Sequence, residues 1–197
     1  MAIIHRTTME PTKLELLAAW LPAQPWYQGT GGKPLLDRVG GWRLDDPEGA
    51  VGIEFMVVVD ASGDAPRSYH VPLTYRGAPL AGAEHALVGT TEHGVLGTRW
   101  VYDGAHDPVL VAAVRALLRG DAEPQAQSES DTPDPTVGAR LAAGADPDGA
   151  VLDVVRVPGR EGGAGVLGEV TAPWSRADGE SSRAPFFVLR GHSPRPA

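Results

Sequence analysis

The sequence predicts an α+β fold: an antiparallel β-sheet with short helices packed on it, followed by a β-rich C-terminal segment. Three observations carry this. Apolar residues recur with a helical period before residue 22, alternate from about residue 51, and return to a helical period near residue 108. Alternation then resumes beyond residue 150, and a switch between periods of 3.6 and 2 marks a change from helix to strand.

The first helix is read from Leu14, Leu17, Ala18 and Leu21, which fall at i, i+3, i+4 and i+7. Pro11 suits its first turn and Pro22 stops it. Residues 24–33 form a loop with two aromatics and three glycines. In 51–60, Val51, Ile53, Phe55, Val57 and Val59 share one face. A turn at 61–64 leads to 67–75, where Tyr69, Val71, Leu73 and Tyr75 alternate with Ser68, His70 and Thr74. The pattern predicts an antiparallel pair with one wet face. Pro72 lacks a ladder donor, so its strand is expected at an edge or at a bulge. Two more strands are expected at 84–88 and 95–102, with a turn at 91–94.

The second helix has a complete set of end signals. Asp107 can cap it, Pro108 fits its first turn, and Leu110, Ala113, Val114 and Leu117 make its apolar stripe. Arg115 and Arg119 complement the dipole near the C-terminal end, and Gly120 closes it. Residues 121–135 are acidic and rich in proline without apolar periodicity, the composition of a mobile linker. Strands are expected again at 151–157, 166–171 and 184–190, and Asp178-Gly179 is a hairpin signal. These strands either extend the first sheet or pack upon it. The chain therefore divides into 1–120, a linker at 121–135, and a β-rich segment at 136–197.

Composition excludes several functions. The 197 residues are 42% hydrophobic and 21% charged, as in an ordinary globular protein. A net charge of -8 without any basic run argues against nucleic acid, whose phosphates require clustered Lys and Arg. The absence of cysteine removes disulfides, zinc–thiolate sites, iron–sulfur clusters and a cysteine nucleophile. No signal peptide and no apolar run of about 20 residues is visible, so no membrane partner is expected and the cytoplasm is the expected compartment.

Catalytic patterns fail one by one. The loop Gly29-Thr30-Gly31-Gly32-Lys33-Pro34 lacks the first glycine and the final hydroxyl of a phosphate-binding loop. Glu84-His85, Glu92-His93 and His106-Asp107 match no metal-ligand spacing, so neither a metal nor another cofactor is expected. Gly-x-Ser-x-Gly is absent. Asp60, Asp64, Asp103 and Asp107 sit where turns commonly use Asp for local hydrogen bonds. Trp20, Trp26, Tyr27 and Trp42 could stack on a sugar, although packing between helix and sheet is the commoner use of such a cluster. No catalytic residue is expected, and the chain is read as not an enzyme by itself.

Three motifs in order then carry a resemblance. Leu21-Pro22-Ala23-Gln24-Pro25-Trp26-Tyr27-Gln28-Gly29 followed by Lys33 resembles the opening of the cap domain that begins actinobacterial maltokinases, Leu-Pro-x-Gln-Arg-Trp-aromatic-x-Gly-Lys-Gly. Tyr69-His70-Val71-Pro72-Leu73-Thr74-Tyr75-Arg76-Gly77 is similar to its central strand, and Tyr102-Asp103-Gly104 with Asp107-Pro108 to its closing element. The resemblance covers residues 14–120. It implies a curved antiparallel sheet of cystatin-like form and a connection to maltose and α-glucan metabolism. Pro25 replaces the family's arginine, and Thr30-Gly31-Gly32 breaks its Lys-Gly-Arg pattern. After Gly120 neither a His-x-Asp catalytic loop nor an Asp-Phe-Gly-like triplet occurs, so no catalytic residue of a kinase carries over.

The resemblance implies a non-catalytic, stand-alone relative of the cap that binds or modulates a partner, such as a sugar kinase or another enzyme of maltose, trehalose or α-glucan metabolism. Trp26, Tyr27, Gln28, Gly29, Lys33 and Pro72 are the expected contact residues. A second reading is a module binding a maltooligosaccharide or sugar phosphate through Trp26, Tyr27 and Lys33. A third is a hydrolase or transferase using Asp103, His106 and Asp107.

Overall fold

The computed structural model describes residues 8–29, 32–159 and 165–191. Eleven strands and two α-helices are described. Strands β1 (Met9–Glu10), β2 (Leu36–Leu44), β3 (Gly52–Asp60), β4 (Arg67–Arg76), β5 (Leu87–His93), β6 (Gly97–Asp103) and β7 (Gln125–Ala126) form one antiparallel sheet in the order β1-β5-β6-β4-β3-β2-β7. Strands β8 (Gly138–Leu141), β9 (Val151–Val154), β10 (Val166–Ser175) and β11 (Ser181–Arg190) form a second, in the order β8-β10-β11-β9. Helix α1 (Lys13–Trp20) and helix α2 (Pro108–Arg119) complete the fold. It is an α+β structure whose larger sheet is strongly curled. Register breaks at Arg38/Gly40 in β2 and Leu87/Gly89 in β5 add local bend and twist to that sheet.

Helix ends follow local chemistry. Thr12, not Pro11, starts α1, through a reciprocal capping box with Glu15. Asp107 caps α2 by accepting from the Val109 amide at 2.9 Å, and Gly120 ends it in the left-handed region at φ 83°. Leu110, Ala113, Val114, Leu117 and Leu118 of α2 are buried.

The larger sheet is covered on both faces. Leu16, Leu17 and Leu21 pack with Met56, Val58, Tyr69, Val71, Leu73 and Val101 on one. On the other, Trp42, Leu44, Ile53, Phe55 and Val57 meet α2 and the inner face of the second sheet, including Phe186, Phe187 and Leu189. The Trp42 and Phe55 rings stack with centroids 3.8 Å apart, and Phe187 meets Phe55 edge-on at 5.5 Å. Gly40 permits β10 to approach β2, because a side chain there would lie about 3.0 Å from the Trp174 Cβ.

Several expectations change. The β3–β4 pair has no wet face: His70 and Thr74 are fully buried. Alternation in β4 reported the packing of one face correctly but gave no warning that a distant segment covers the other. Of the two arrangements expected for the C-terminal strands, the structure has the second: they build a separate sheet packed upon the first. The stretch 121–135, expected as a linker, contributes β7, whose backbone pairs with Trp42 and Arg43. Backbone pairing of this kind needs no apolar periodicity. Residues Glu84–Ala86 form a 3-10 turn, so the strand expected at 84–88 begins at Leu87 and runs to His93.

Pro72 lies in an inner strand, without an edge or a bulge at its position. Its missing N–H would point away from β3, on the same side as the His70 amide. That amide donates to the Arg156 carbonyl at 2.8 Å, and pairing with β6 begins only at Leu73. The proline thus occupies the gap between two partners, where no ladder donor is required.

His70 is held between the sheets, with ring centroids 4.6 Å from Phe186 and 5.2 Å from Phe187. Its Nδ1 donates to the Val155 carbonyl at 3.2 Å. Burial, reinforced by the Arg156 charge, pushes its pKa down to about 3, so the ring is neutral in the fold. The folded value lies below the unfolded one, so this contribution is complete above about pH 6.5 and is lost as pH falls toward 3. Urea unfolding between pH 7 and 5 is expected to show stability falling by up to about 1.4 kcal/mol per pH unit below 6.5. The His70→Phe variant should flatten that slope; an unchanged slope would show that His70 does not cause it.

Candidate functional site

The loop after α1 folds back against β4 and builds an aromatic cluster. Leu21–Ala23 make a 3-10 turn containing Pro22, which directs the chain so that Trp26 and Tyr27 meet Tyr69 at 6.0 and 5.3 Å. Trp20 meets the Trp26 edge at 5.8 Å. The Gln28 amide donates to the Tyr69 hydroxyl at 3.1 Å, and Arg67 donates to the Gln28 side chain. Gly29 is needed there, since any side chain would collide with the Tyr27 ring.

Two buried carboxylates support this cluster. Asp60 accepts from the Tyr27 hydroxyl at 2.6 Å and from the amides of Leu35 and Ser62. Burial alone would raise the Asp60 pKa, but hydrogen bonds from Tyr27, Ser62 and Leu35 outweigh it and hold the carboxyl below its usual range. Burial and the Asp60 carboxylate together push the Tyr27 phenol up to about 12. Asp103, at the end of β6, pairs with Arg156 at 2.6 Å. The Arg156 guanidinium also lies over the Trp26 ring, 4.8 Å from its centroid.

A third carboxylate, Glu54, is buried in β3 on the same face. It accepts from Lys13 and the Tyr75 hydroxyl, each at 2.6 Å, and from the Gln127 amide at 2.9 Å. Burial raises its pKa, yet Lys13, Tyr75 and Gln127 bring it below the ordinary value. Sequence reading missed this network. A charged residue between Ile53 and Phe55 in a core strand was the available signal, because a buried carboxylate requires partners. Arg156 left no such signal, since its partners are more than fifty residues distant.

Of the expected contact residues, Trp26, Tyr27, Gln28 and Gly29 come together. Trp26 and Tyr27 are half-buried within packing, while Gln28 and Gly29 are exposed. Lys33 is exposed, and its charge acts on Glu15 of α1. Pro72 is buried on the opposite face of the sheet. Trp42 also belongs to that opposite face, so the four N-terminal aromatics do not form one platform. Arg156 covers one face of Trp26 that a stacked sugar would need.

The acidic residues considered for catalysis are engaged elsewhere. Asp107 receives Arg76 through two 2.7 Å hydrogen bonds while capping α2, and Asp103 holds Arg156. His106 is exposed, with its Nδ1 3.3 Å from the His85 Nε2. Among the described residues no group of three or more His, Asp or Glu side chains is placed to hold a metal. No helix among them is long and apolar enough to cross a membrane.

The arrangement defines a class: a curled antiparallel sheet whose first helix and following Trp-Tyr loop close one face. The family described as the maltokinase N-terminal cap domain matches residues 20–107, and this part of the chain is similar to that domain. The matched span runs from the end of α1 to the Asp107 cap of α2, which includes the aromatic loop, β2 to β6 and the Asp60 and Asp103 sites. Among curated proteins none matches the chain.

Removing one partner of a buried ion pair leaves an uncompensated charge, which costs about 3–5 kcal/mol. Arg156→Ala should therefore lower the stability measured by urea unfolding by about 3 kcal/mol or more. Adding Asp103→Ala should restore part of the loss; simple additivity of the two changes would refute the coupling.

Proposed function

We propose that the chain is a non-catalytic, cap-like protein that binds or modulates a partner enzyme of maltose, trehalose or α-glucan metabolism, with a sugar kinase as the leading candidate. The observation that carries this reading is the match of residues 20–107 to the maltokinase cap, in a chain whose following residues fold as a second sheet upon it. Gln28, Gly29 and Lys33 are exposed, which supports their loop as the contact surface. The Asp103–Arg156 and Asp107–Arg76 pairs support the same reading, since each carboxylate is committed to holding the fold.

Affinity capture from a native extract with the purified protein, followed by mass spectrometry, tests this. A glucan-pathway enzyme should be recovered in stoichiometric amount and reconstitute with the purified chain. Gln28→Ala/Lys33→Glu should weaken that complex at least tenfold without shifting the unfolding midpoint. Recovery of no such enzyme would overturn the proposal.

A further inference from the structure

Two exposed histidines from separate turns meet near the start of α2. His85 belongs to the 3-10 turn Glu84–Ala86, between β4 and β5, and His106 to the 3-10 turn Gly104–His106, between β6 and α2. Their ring nitrogens, His85 Nε2 and His106 Nδ1, stand 3.3 Å apart. The rings cross at 81° with centroids 4.8 Å apart, so they meet at an angle and not head-on. Taken separately, Glu84-His85 and His106-Asp107 match no ligand spacing; the fold joins the two histidines across 21 positions of sequence.

Both turns are fixed from beneath. Ala83 and Ala86 are buried and pack with Leu80, Trp100 and Tyr102. The Ala86 amide donates to the Ala83 carbonyl at 2.9 Å, and the Leu80 amide donates to the Tyr102 hydroxyl at 2.9 Å, which ties the loop before β5 to β6. On the other side, buried Asp103 accepts from the Ala105 amide at 3.2 Å, and the Asp107 amide donates to the Gly104 carbonyl at 3.0 Å. Arg76 holds the Asp107 carboxylate through two 2.7 Å hydrogen bonds, so the turn carrying His106 is pinned at both ends. The backbone on each side is thus placed before any ligand arrives, and only the exposed rings have to adjust.

We infer that His85 and His106 together bind a divalent transition-metal ion of the kind that prefers imidazole, with Zn²⁺ as the type case. Two imidazole nitrogens bound to one tetrahedral ion at about 2.0–2.1 Å lie about 3.3–3.4 Å from each other, the separation already present between these rings. The contact is long for a hydrogen bond from an N–H, whose usual length is about 2.9–3.0 Å, so an ion would displace only a weak one. Exposure of both rings leaves the remaining positions on the ion to water. Imidazole suits Zn²⁺, Ni²⁺ and Cu²⁺, whereas Mg²⁺ and Ca²⁺ take oxygen ligands. Glu84, adjacent to His85, and a formal net charge of -8 favour a cation at this surface. The ion would clamp the β4–β5 connection to the start of α2. This inference is independent of the partner proposal and uses none of its contact residues.

Isothermal calorimetry of the untagged full chain with Zn²⁺ tests it, with Mg²⁺ and Ca²⁺ as comparison ions. One Zn²⁺ per chain is expected to bind at submillimolar concentration and to raise the unfolding midpoint. His85→Gln and His106→Gln should each weaken binding at least tenfold while the metal-free midpoint and circular dichroism stay unchanged. His93→Gln should leave binding as it is, since the His93 Nδ1 already accepts from the Val95 and Leu96 amides. In NMR spectra, substoichiometric Cu²⁺ should broaden the ring signals of His85 and His106 before that of His93. Absence of binding at millimolar Zn²⁺ would overturn the inference, as would undiminished binding by the folded His85→Gln/His106→Gln variant. Equal binding of Mg²⁺ would overturn the assignment to imidazole ligands.

Discussion

The β3–β4 pair is buried on both faces, and the remaining structure is organised around meeting that constraint. A two-stranded unit with large apolar residues on one side and Phe55, Val57 and His70 on the other cannot present either side to water without cost. Helix α1 and its aromatic loop cover the first side. The second requires α2 and a whole additional sheet, because Phe186, Phe187 and Leu189 fill the space that Phe55 and His70 leave open. Packing between Phe55 and the rings stacked around it therefore joins the cap-like part of the chain to its C-terminal sheet in one core.

Burial on this scale forces polar side chains into pairs. Glu54, Asp103 and Asp107 are each almost inaccessible, and each is met by a cation: Lys13, Arg156 and Arg76. The pairs also fix geometry. Lys13 ties α1 to β3, Arg76 ties β4 to the start of α2, and Arg156 ties the second unit to the end of β6 and to Trp26. Ion pairs buried in this manner are weak sources of net stability but strong penalties against misplacement, since each wrong arrangement leaves a charge without its partner.

What the sequence made legible follows from how local each signal is. The capping of α2 by Asp107, its stripe of Leu110, Val114 and Leu117, and its Gly120 stop lie within one short segment and were readable from it. The apolar alternation of 51–60 was equally plain. Strand β2 was not expected, because Asp37, Arg38, a bulge at Val39 and the pair Gly40-Gly41 interrupt its alternation. Trp26 and Tyr27 were expected by resemblance in a contact loop, but their half-burial depends on Tyr69, Asp60 and Arg156, which only the tertiary structure brings near. Pro72 shows the opposite limit. Its chemistry correctly signalled a missing ladder partner, yet the strand containing it is internal, because a sheet can be open along part of one strand only.

That partial opening at Pro72 divides one side of β4 between two claimants. β6 takes the length from Leu73 onward, and the chain at Val155 and Arg156 takes the length before it, with the His70 amide and ring both bonded to that second claimant. The second unit is thus keyed into the first by main-chain pairing as well as by side-chain packing. A version of the cap lacking this segment would bare a short stretch of unpaired backbone beside apolar side chains, the kind of surface that recruits foreign strands and drives aggregation. The segment at Val155 and Arg156 thus covers backbone of β4 that β6 leaves unpaired before Leu73.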